Sequence, residues 1–146
     1  MADQLSIGVL LFISQRAIEA RVMSAARQAG LTDFTVAQAR LMARISPNGS
    51  RISDLAERAL IAKQTATALV DRLEAAGYVE RVPDPSDGRA RVVRLSARAE
   101  ELRPLALAAE EEVYAEWAAH VGRRRMAELR QTLTLLREIT DPFQDQ

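Results

Sequence analysis

The sequence contains no cysteine, and its 146 residues include a single lysine and a single histidine. Without cysteine the protein cannot form disulfides, use a catalytic thiolate, bind zinc through sulfur or sense peroxide through a thiol. The one histidine, His120, has no second type of metal ligand beside it at metal-binding spacing, so we expect it to be structural. We therefore expect neither a metal site nor a cofactor.

Features of export, membrane insertion and catalysis are also missing. The longest uncharged run near the N-terminus, Leu5 to Gln15, is about half the length of a bilayer-spanning helix, and no basic leader or cleavage site accompanies it. There is no glycine-rich phosphate loop, nucleophile elbow or motif-defined pair of carboxylates. We therefore expect a cytoplasmic protein that is not an enzyme and does not bind a membrane.

No broad basic field is present, because 20 basic side chains are balanced by 20 acidic ones. Residues 51–95 carry 8 basic and 7 acidic side chains, whereas residues 96–146 carry 7 and 10. Binding to a polyanion would then depend on the placement of a few arginines, and we expect its salt dependence to be modest. The length and the 48% hydrophobic content predict one domain, residues 1–146, with a real core.

The most informative stretch is Ser53–Leu95, which opens with two predicted helices. Ser53 is a favourable N-cap, so the first helix is predicted over Asp54–Ala59. After a break near Leu60, apolar residues recur at helical spacing and predict a buried stripe on a second helix, which Gly77 ends. The stripe consists of Ala62, Ala66, Leu69, Leu73 and Ala76.

The face opposite this stripe is small and polar at the helix N-terminus. Such a face suits a helix in the major groove of DNA, because amides and hydroxyls there reach base edges while a lysine meets phosphate. The alternative is a set of ordinary solvated positions. At 100° per residue the face holds Gln64, Thr67, Ala68 and Asp71, with Lys63 and Thr65 beside them in the first turn.

Two strand-like runs follow, Tyr78–Val82 and Arg91–Leu95, joined by residues 83–90. Because this connection contains two prolines and a glycine, we predict a protruding hairpin tip in which the ladder does not continue. Arg89 near the tip, with Arg91 just past it, suits contact with the minor groove or with phosphate. An idle surface arginine at position 89 is the alternative.

Residues 53–95 resemble the winged helix-turn-helix of the MarR family of bacterial transcriptional regulators. The resemblance is carried by Leu69–Arg81, which reads LVDRLEAAGYVER, and by the run from Asp87 to Arg89 in the wing. It implies a mainly α fold with a small β-hairpin wing (α+β), with residues 32–95 binding DNA and residues 5–30 and 97–140 forming dimerisation helices. The DNA-binding residues expected on this basis are Ser53, Lys63, Gln64, Thr65, Thr67, Arg72, Arg89 and Arg91.

Some positions depart from the family pattern or carry a second interpretation. Where the family often has glycine at the turn and a capping serine or threonine, this chain has Leu60 and Ala62. A left-handed leucine costs about 1 kcal/mol, and a missing cap costs about as much. Asp87 is expected to orient a neighbouring arginine, and Arg72 either contacts phosphate or pairs with Asp87.

Helices are predicted before this stretch as well. The first covers Leu5–Ala29, and its opening, residues 7–13, is apolar on nearly every side. A helix of this kind must be covered from several directions, which indicates a homodimer; the alternative is a core helix within one subunit. Thr35 and Gln38 fit a capping box for the next helix, and Arg51 with Ile52 is expected to form a minimal strand against the wing.

The C-terminal third is predicted to contain two more helices. Ser96 caps one that runs to about Ala119 with a bend at Pro104, and Gly122 separates it from the last. The last helix carries an apolar stripe at steps of 3 and 4 residues, typical of a packing seam. That stripe consists of Met126, Leu129, Leu133 and Leu136.

The resemblance implies a ligand-responsive repressor that binds an inverted-repeat operator as a homodimer. It also implies an effector pocket between the dimerisation helices and the DNA-binding part. Aromatic walls and one cation there would suit a small phenolic or aromatic carboxylate. The residues proposed for that pocket are Phe12, Arg16, Tyr114 and Trp117, although all four are equally suited to a core or an interface. The rival hypothesis is a winged-helix module that associates with proteins and does not bind DNA.

Overall fold

The computed structural model describes residues 4–142, which form seven helices and one β-hairpin. The expected mainly helical fold with a small β-hairpin is therefore confirmed. No described helix has the length and apolar character needed to cross a membrane. In chain order the elements are α1 (Ile7–Gln28), α2 (Val36–Met42), α3 (Ile52–Ala59), α4 (Lys63–Ala75), β1 (Val79–Asp84), β2 (Asp87–Leu95), α5 (Ala97–Glu100), α6 (Leu102–Val121) and α7 (Arg123–Thr140).

The chain divides into two units. The central unit is Met23–Ala106, and the terminal unit contains the described residues on either side of it. The core of the central unit is contributed by α2, α3, α4 and the hairpin, and Leu55, Leu73 and Tyr78 within it have no solvent-exposed surface. Phe34 packs edge to face against Tyr78, with ring centroids 5.3 Å apart. The hairpin and the helices before it therefore form one packed body.

The buried stripe of α4 differs in part from its prediction. Ala66 and Leu73 are buried as expected, and Leu69 is half-buried against the core. Val70, which the prediction omitted, is fully buried, since it lies one helical turn from both Ala66 and Leu73. Ala62 is exposed because it is the N-cap and precedes the helix.

The start of α3 is also corrected. The helix begins at Ile52, so the N-cap is Arg51 and the predicted capping role of Ser53 is wrong. The predicted strand at Arg51 and Ile52 is wrong for the same reason. The residue that pairs with the hairpin is Ser50, which exchanges two backbone hydrogen bonds of 2.8 Å with Val93.

The hairpin is longer than predicted. Its ladder passes Pro83, which pairs with Arg91, and reaches Asp84 opposite Asp87 after a register shift. Proline is tolerated here because β1 is an outer strand, where a missing N–H can face away from the ladder. The predicted long tip of residues 83–90 is therefore reduced to a turn at residues 85 and 86.

The single helix predicted after Ser96 is divided in two. Ser96 does cap a helix, since its Oγ accepts a 3.3 Å hydrogen bond from Ala99 N, but α5 ends at Glu100 and α6 begins at Leu102. Pro104 has no N–H for the Glu100 carbonyl, and the interruption between the two helices falls at Glu101, three residues before the proline. The capping box of Thr35 and Gln38 is confirmed.

The terminal unit contains most of α1 and α6 together with α7. Arg21 on α1 forms a two-pronged ion pair with Glu116 on α6, with both nitrogen-to-oxygen distances at 2.9 Å. Several apolar residues of the terminal unit are poorly covered: Ile7 is 77% exposed, and Leu129, Leu133 and Leu136 of the α7 stripe are each 41–42% exposed. Gly122, with φ of 97°, separates α6 from α7 as predicted.

Candidate DNA-binding site

The N-terminus of α4 presents the polar residues that the sequence analysis singled out. Lys63, Gln64 and Thr65 occupy its first turn and are exposed, and Ala62 at the N-cap supplies no side-chain hydrogen bond. Within residues 4–142, the side chains of these three residues make no hydrogen bond or ion pair. The first turn therefore has both free backbone N–H groups and uncommitted side chains, which suits phosphates and base edges.

The turn before α4 has the left-handed conformation that glycine usually adopts, although this chain has Leu60 there. Leu60 lies in the left-handed region, with φ of 54° and ψ of 42°, and its N–H donates to the Glu57 carbonyl. Its side chain is 91% exposed. Leu60 therefore carries the backbone strain of a left-handed residue with a Cβ, which a glycine at this position would not have.

Further along α4, side chains are engaged in pairs that the sequence did not reveal. Arg81 on β1 donates to Asp71 at 2.6 Å and to Glu74 at 2.7 Å, and these contacts, the Asp71 hydrogen bond first, raise the pKa of Arg81. The Thr67 hydroxyl donates to the Lys63 carbonyl at 2.9 Å and so bonds within its own helix. Arg72 is exposed on the same helix. Arg81 thus neutralises carboxylates that would otherwise repel phosphate.

The wing places its two predicted arginines differently. Arg89 is exposed three residues past the turn, and its backbone N–H donates to Asp87 Oδ1 at 3.1 Å. Arg91 Nη2 donates to the Arg81 carbonyl at 2.8 Å, which ties that guanidinium to the neighbouring strand. Of the two, Arg89 has the guanidinium available to reach outward.

Asp87 was predicted to orient a neighbouring arginine, and the structure shows only a long contact of this kind. Arg51 Nη2 lies 4.0 Å from Asp87 Oδ2, so Asp87 does face an arginine. The closer partner of Arg51 is Asp84, at 3.0 Å from Nε and 2.9 Å from Nη2. Hydrogen bonds from the backbone and hydroxyl of Ser86, with Arg51, lower the pKa of Asp84. The sequence analysis missed this contact of Asp84 with Arg51.

The C-terminus of α4 is held by a second group that the sequence analysis missed. The buried Tyr78 hydroxyl donates to Asp33, and Arg98 lies 4.4 Å above the Tyr78 ring while donating to Asp33 and to the Ala76 carbonyl. Burial and the hydrogen bond to Asp33 raise the pKa of Tyr78 to about 12. The hydrogen bond from Tyr78, with help from Arg98, lowers the pKa of Asp33. These contacts fix both the end of α4 and the entry into α5.

The remaining predicted residues lie elsewhere. Ser53 is exposed in the first turn of α3. Tyr114 and Trp117 are half-buried neighbours on α6, with ring centroids 6.2 Å apart, and the Tyr114 hydroxyl donates to Glu110 at 3.4 Å. Phe12 and Arg16 are exposed on α1. In the described part of the chain, these two residues make no ring contact, hydrogen bond or ion pair with the aromatic pair.

The part of the chain that carries this site matches a known protein family. A model of the MarR family matches residues 32–90, which include α2, α3, α4 and the hairpin up to Ala90. The HTH-type transcriptional regulator FarR of Neisseria gonorrhoeae is 29% identical over 137 residues, which cover 93% of this chain and 92% of FarR.

Solved structures agree over nearly the whole chain. The Mycobacterium tuberculosis MarR family protein Rv2887, in complex with salicylic acid, is 26% identical with a TM-score of 0.63 over 93% of this chain and 99% of Rv2887. Apo MarR from E. coli has the same fold, with a TM-score of 0.71 at 19% identity over 92% of this chain and 98% of MarR.

All of these matches are to transcriptional regulators of one type. They favour a DNA-binding regulator over a module that only associates with proteins, and over an enzyme. Residues 32–90 match the MarR family of transcriptional regulators, and nearly the whole chain has the winged helix-turn-helix fold of MarR proteins.

Proposed function

We propose that this regulator is a homodimeric repressor that binds an inverted-repeat operator and releases it when a small aromatic acid binds. The observation that carries the proposal is the pairing, within the central unit, of an uncommitted first turn of α4 with an outward-reaching Arg89 on the wing. Two such sets, one from each subunit, would enter successive major grooves about one helical turn apart.

Exposed apolar surface in the terminal unit supports the dimer. The opening of α1 and the stripe of α7 expose residues that soluble monomers rarely leave in contiguous patches. MarR regulators bind DNA as dimers, and a second copy of this unit would cover both faces. In this proposal residues 5–30 and 97–140 are the dimerisation helices and the protein acts in the cytoplasm.

Binding of a small aromatic carboxylate is supported by the relative that binds salicylic acid. The four residues proposed for the pocket supply aromatic surface from Phe12, Tyr114 and Trp117 and a cation from Arg16. A ligand that binds better to the DNA-incompetent arrangement shifts the population toward it and lowers operator affinity.

DNA binding is tested by fluorescence anisotropy with a labelled duplex that the protein has selected from a random-sequence library. Arg89→Ala and Gln64→Ala should each weaken binding by about 1–3 kcal/mol. Arg124→Ala is the matched control, because it removes one arginine from α7 whose ion pair is with Glu128, within the same helix. Unchanged affinity in both test variants would overturn the proposed contacts.

Effector binding is tested separately by calorimetry with salicylate. We expect heat of binding with the wild type and little with Arg16→Ala, because the variant lacks the cation for the carboxylate. Equal binding by both proteins would exclude Arg16 from the pocket.

A further inference from the structure

The N-cap of α3 is occupied by a residue that cannot cap it. Caps are side chains that accept a hydrogen bond from the first turn, and the guanidinium of Arg51 can only donate. The side chain extends to the wing instead, where its Nε donates to Asp84 Oδ2 at 3.0 Å and its Nη2 lies 2.9 Å from the same oxygen in an ion pair. This contact links residues 33 positions apart in sequence.

Both oxygens of Asp84 are in use. Oδ2 accepts from Arg51, and Oδ1 accepts from the Ser86 backbone N–H at 2.9 Å and from its hydroxyl at 2.8 Å. The Asp84 side chain is only 10% exposed, whereas that of Arg51 is 44% exposed. A shielded carboxylate whose two oxygens both accept hydrogen bonds constrains its neighbours more than an exposed ion pair does. Asp84 therefore joins the wing turn to the start of α3.

A second attachment secures the other end of the wing. Ser50 pairs with Val93 through two backbone hydrogen bonds, and Gly49 lies so close to Val92 that an added Cβ would come within 2.7 Å of its Cγ2. Backbone contacts thus fix the inner end of the hairpin, whereas its outer end is fixed by the Arg51 and Asp84 side chains. Loss of Arg51 would loosen the outer end and leave the inner end in place.

We propose that Arg51 is a positioning residue for DNA recognition, holding the wing turn through Asp84 so that Arg89 is presented to DNA in one orientation. This inference depends on the proposed function, in which Arg89 contacts DNA. It assigns Arg51 no direct contact with the duplex.

The surroundings of Arg51 argue against the simpler idea that it binds phosphate. The side chain lines an open cleft of 520 Å³ that is also lined by the carboxylates of Asp54 and Asp84. Arg58 also lines this cleft, so the two carboxylates offset its two arginines, and the Arg51 guanidinium is already paired with Asp84. A role through the wing is what this arrangement favours.

The test is a double-mutant cycle between Arg51→Ala and Arg89→Ala, read by anisotropy on the same selected duplex. In the wild type, Arg89→Ala should weaken binding by about tenfold; in the Arg51→Ala background the further loss should be less than about threefold, because a loose wing gains less from its arginine. Asp84→Asn should give the same coupling. Arg103→Ala, which removes an exposed arginine paired with Glu100, should not couple to Arg89.

Hydrogen exchange supplies a readout that needs no DNA. Amides of residues 86–89 should exchange faster in Arg51→Ala, while the Val93 amide, bonded to Ser50, keeps its protection. Unchanged exchange at the turn would overturn the inference whatever the DNA results are.

The remaining outcomes are also decisive. If Arg51→Ala and Arg89→Ala are additive and Arg51→Ala lowers the salt slope by about one phosphate, Arg51 contacts the backbone directly and the positioning role is wrong. If Arg89→Ala is silent in the wild type, the proposed wing contact itself fails. Failure of the Arg89 contact can be distinguished from failure of the Arg51 contact, because the amides at the wing turn would still exchange faster in Arg51→Ala.

Discussion

The central and terminal units differ in how far their large apolar side chains are exposed to solvent. In the central unit Leu55, Val70 and Leu73 have no exposed surface, so the core is complete within one chain. In the terminal unit Ile7 is 77% exposed and the leucine stripe of α7 is 41–42% exposed. One unit therefore has a core of its own, whereas the other leaves apolar surface that the proposed dimer would cover.

The largest expected effect is the loss of packing inside the central unit. Leu73→Ala should lower the free energy of unfolding by about 2–5 kcal/mol, because it removes a fully buried side chain and leaves a cavity. The measurement is urea unfolding at two protein concentrations, and the loss should be the same at both. Leu60→Ala, at a position 91% exposed, is the control and should change stability by less than about 0.5 kcal/mol. Equal losses in the two variants would contradict the described core.

In the terminal unit a change on the α7 stripe should act on association. Leu133→Glu places a charge in the proposed dimer interface and should weaken the dimer by roughly a hundredfold. Sedimentation equilibrium measures this directly. Leu60→Glu adds the same charge outside the terminal unit and should leave association unchanged. A monomeric wild type, or a variant that still dimerises normally, would remove the contrast between the units.

A smaller effect is expected where the loop before α3 meets the wing. Gly49 has φ of 91° and no room for a Cβ beside Val92, whereas Gly30 has φ of 81° and open space around it. Gly30→Ala should cost about 1 kcal/mol from backbone strain alone, and Gly49→Ala should cost more, up to about 3 kcal/mol, because the contact must also shift. Thermal unfolding followed by circular dichroism ranks the two. The reverse order would argue against the close approach of loop and wing.

The smallest effects concern pH. The pKa of Asp33 in the central unit and of Glu116 in the terminal unit are both lowered, Asp33 mainly by Tyr78 and Glu116 mainly by Arg21. Their contributions to stability are therefore complete at neutral pH and are lost as the pH falls below the ordinary values of 3.8 and 4.5. Asp33→Asn and Glu116→Gln should each flatten the acid limb of the stability curve. Parallel curves for variants and wild type would exclude these contributions.

Local signals in the sequence predicted much of this molecule. The capping box at Thr35 and the glycine at position 77 that ends α4 each depend on a few neighbouring residues, and each is found where it was expected. The left-handed Leu60 could not be decided from the sequence, because the residue departs from the glycine that favours this turn. The polar first turn of α4 and the exposed Arg89 follow from the same local patterns.

Long-range pairing explains what the sequence did not reveal. Ser53 is a better cap than Arg51 on local grounds, but Arg51 gains its partner from Asp84 across the fold. Pro83 fits the ladder only because β1 is an outer strand. Arg81 and Arg98 look like ordinary surface arginines until the fold brings acceptors from other elements to them. None of these partners is within a helical turn in sequence.

The exposure of Leu60 makes position 60 a suitable site for a fluorescent label. Since the chain has no thiol of its own, Leu60→Cys would create a unique attachment point for a fluorophore, on a side chain that points into solvent at the corner between two helices. A dye there would sit beside the first turn of α4 without replacing any core residue. Quenching on addition of duplex would report docking in real time, and the unmodified chain, which has no thiol to label, would give no signal at the wavelength of the dye.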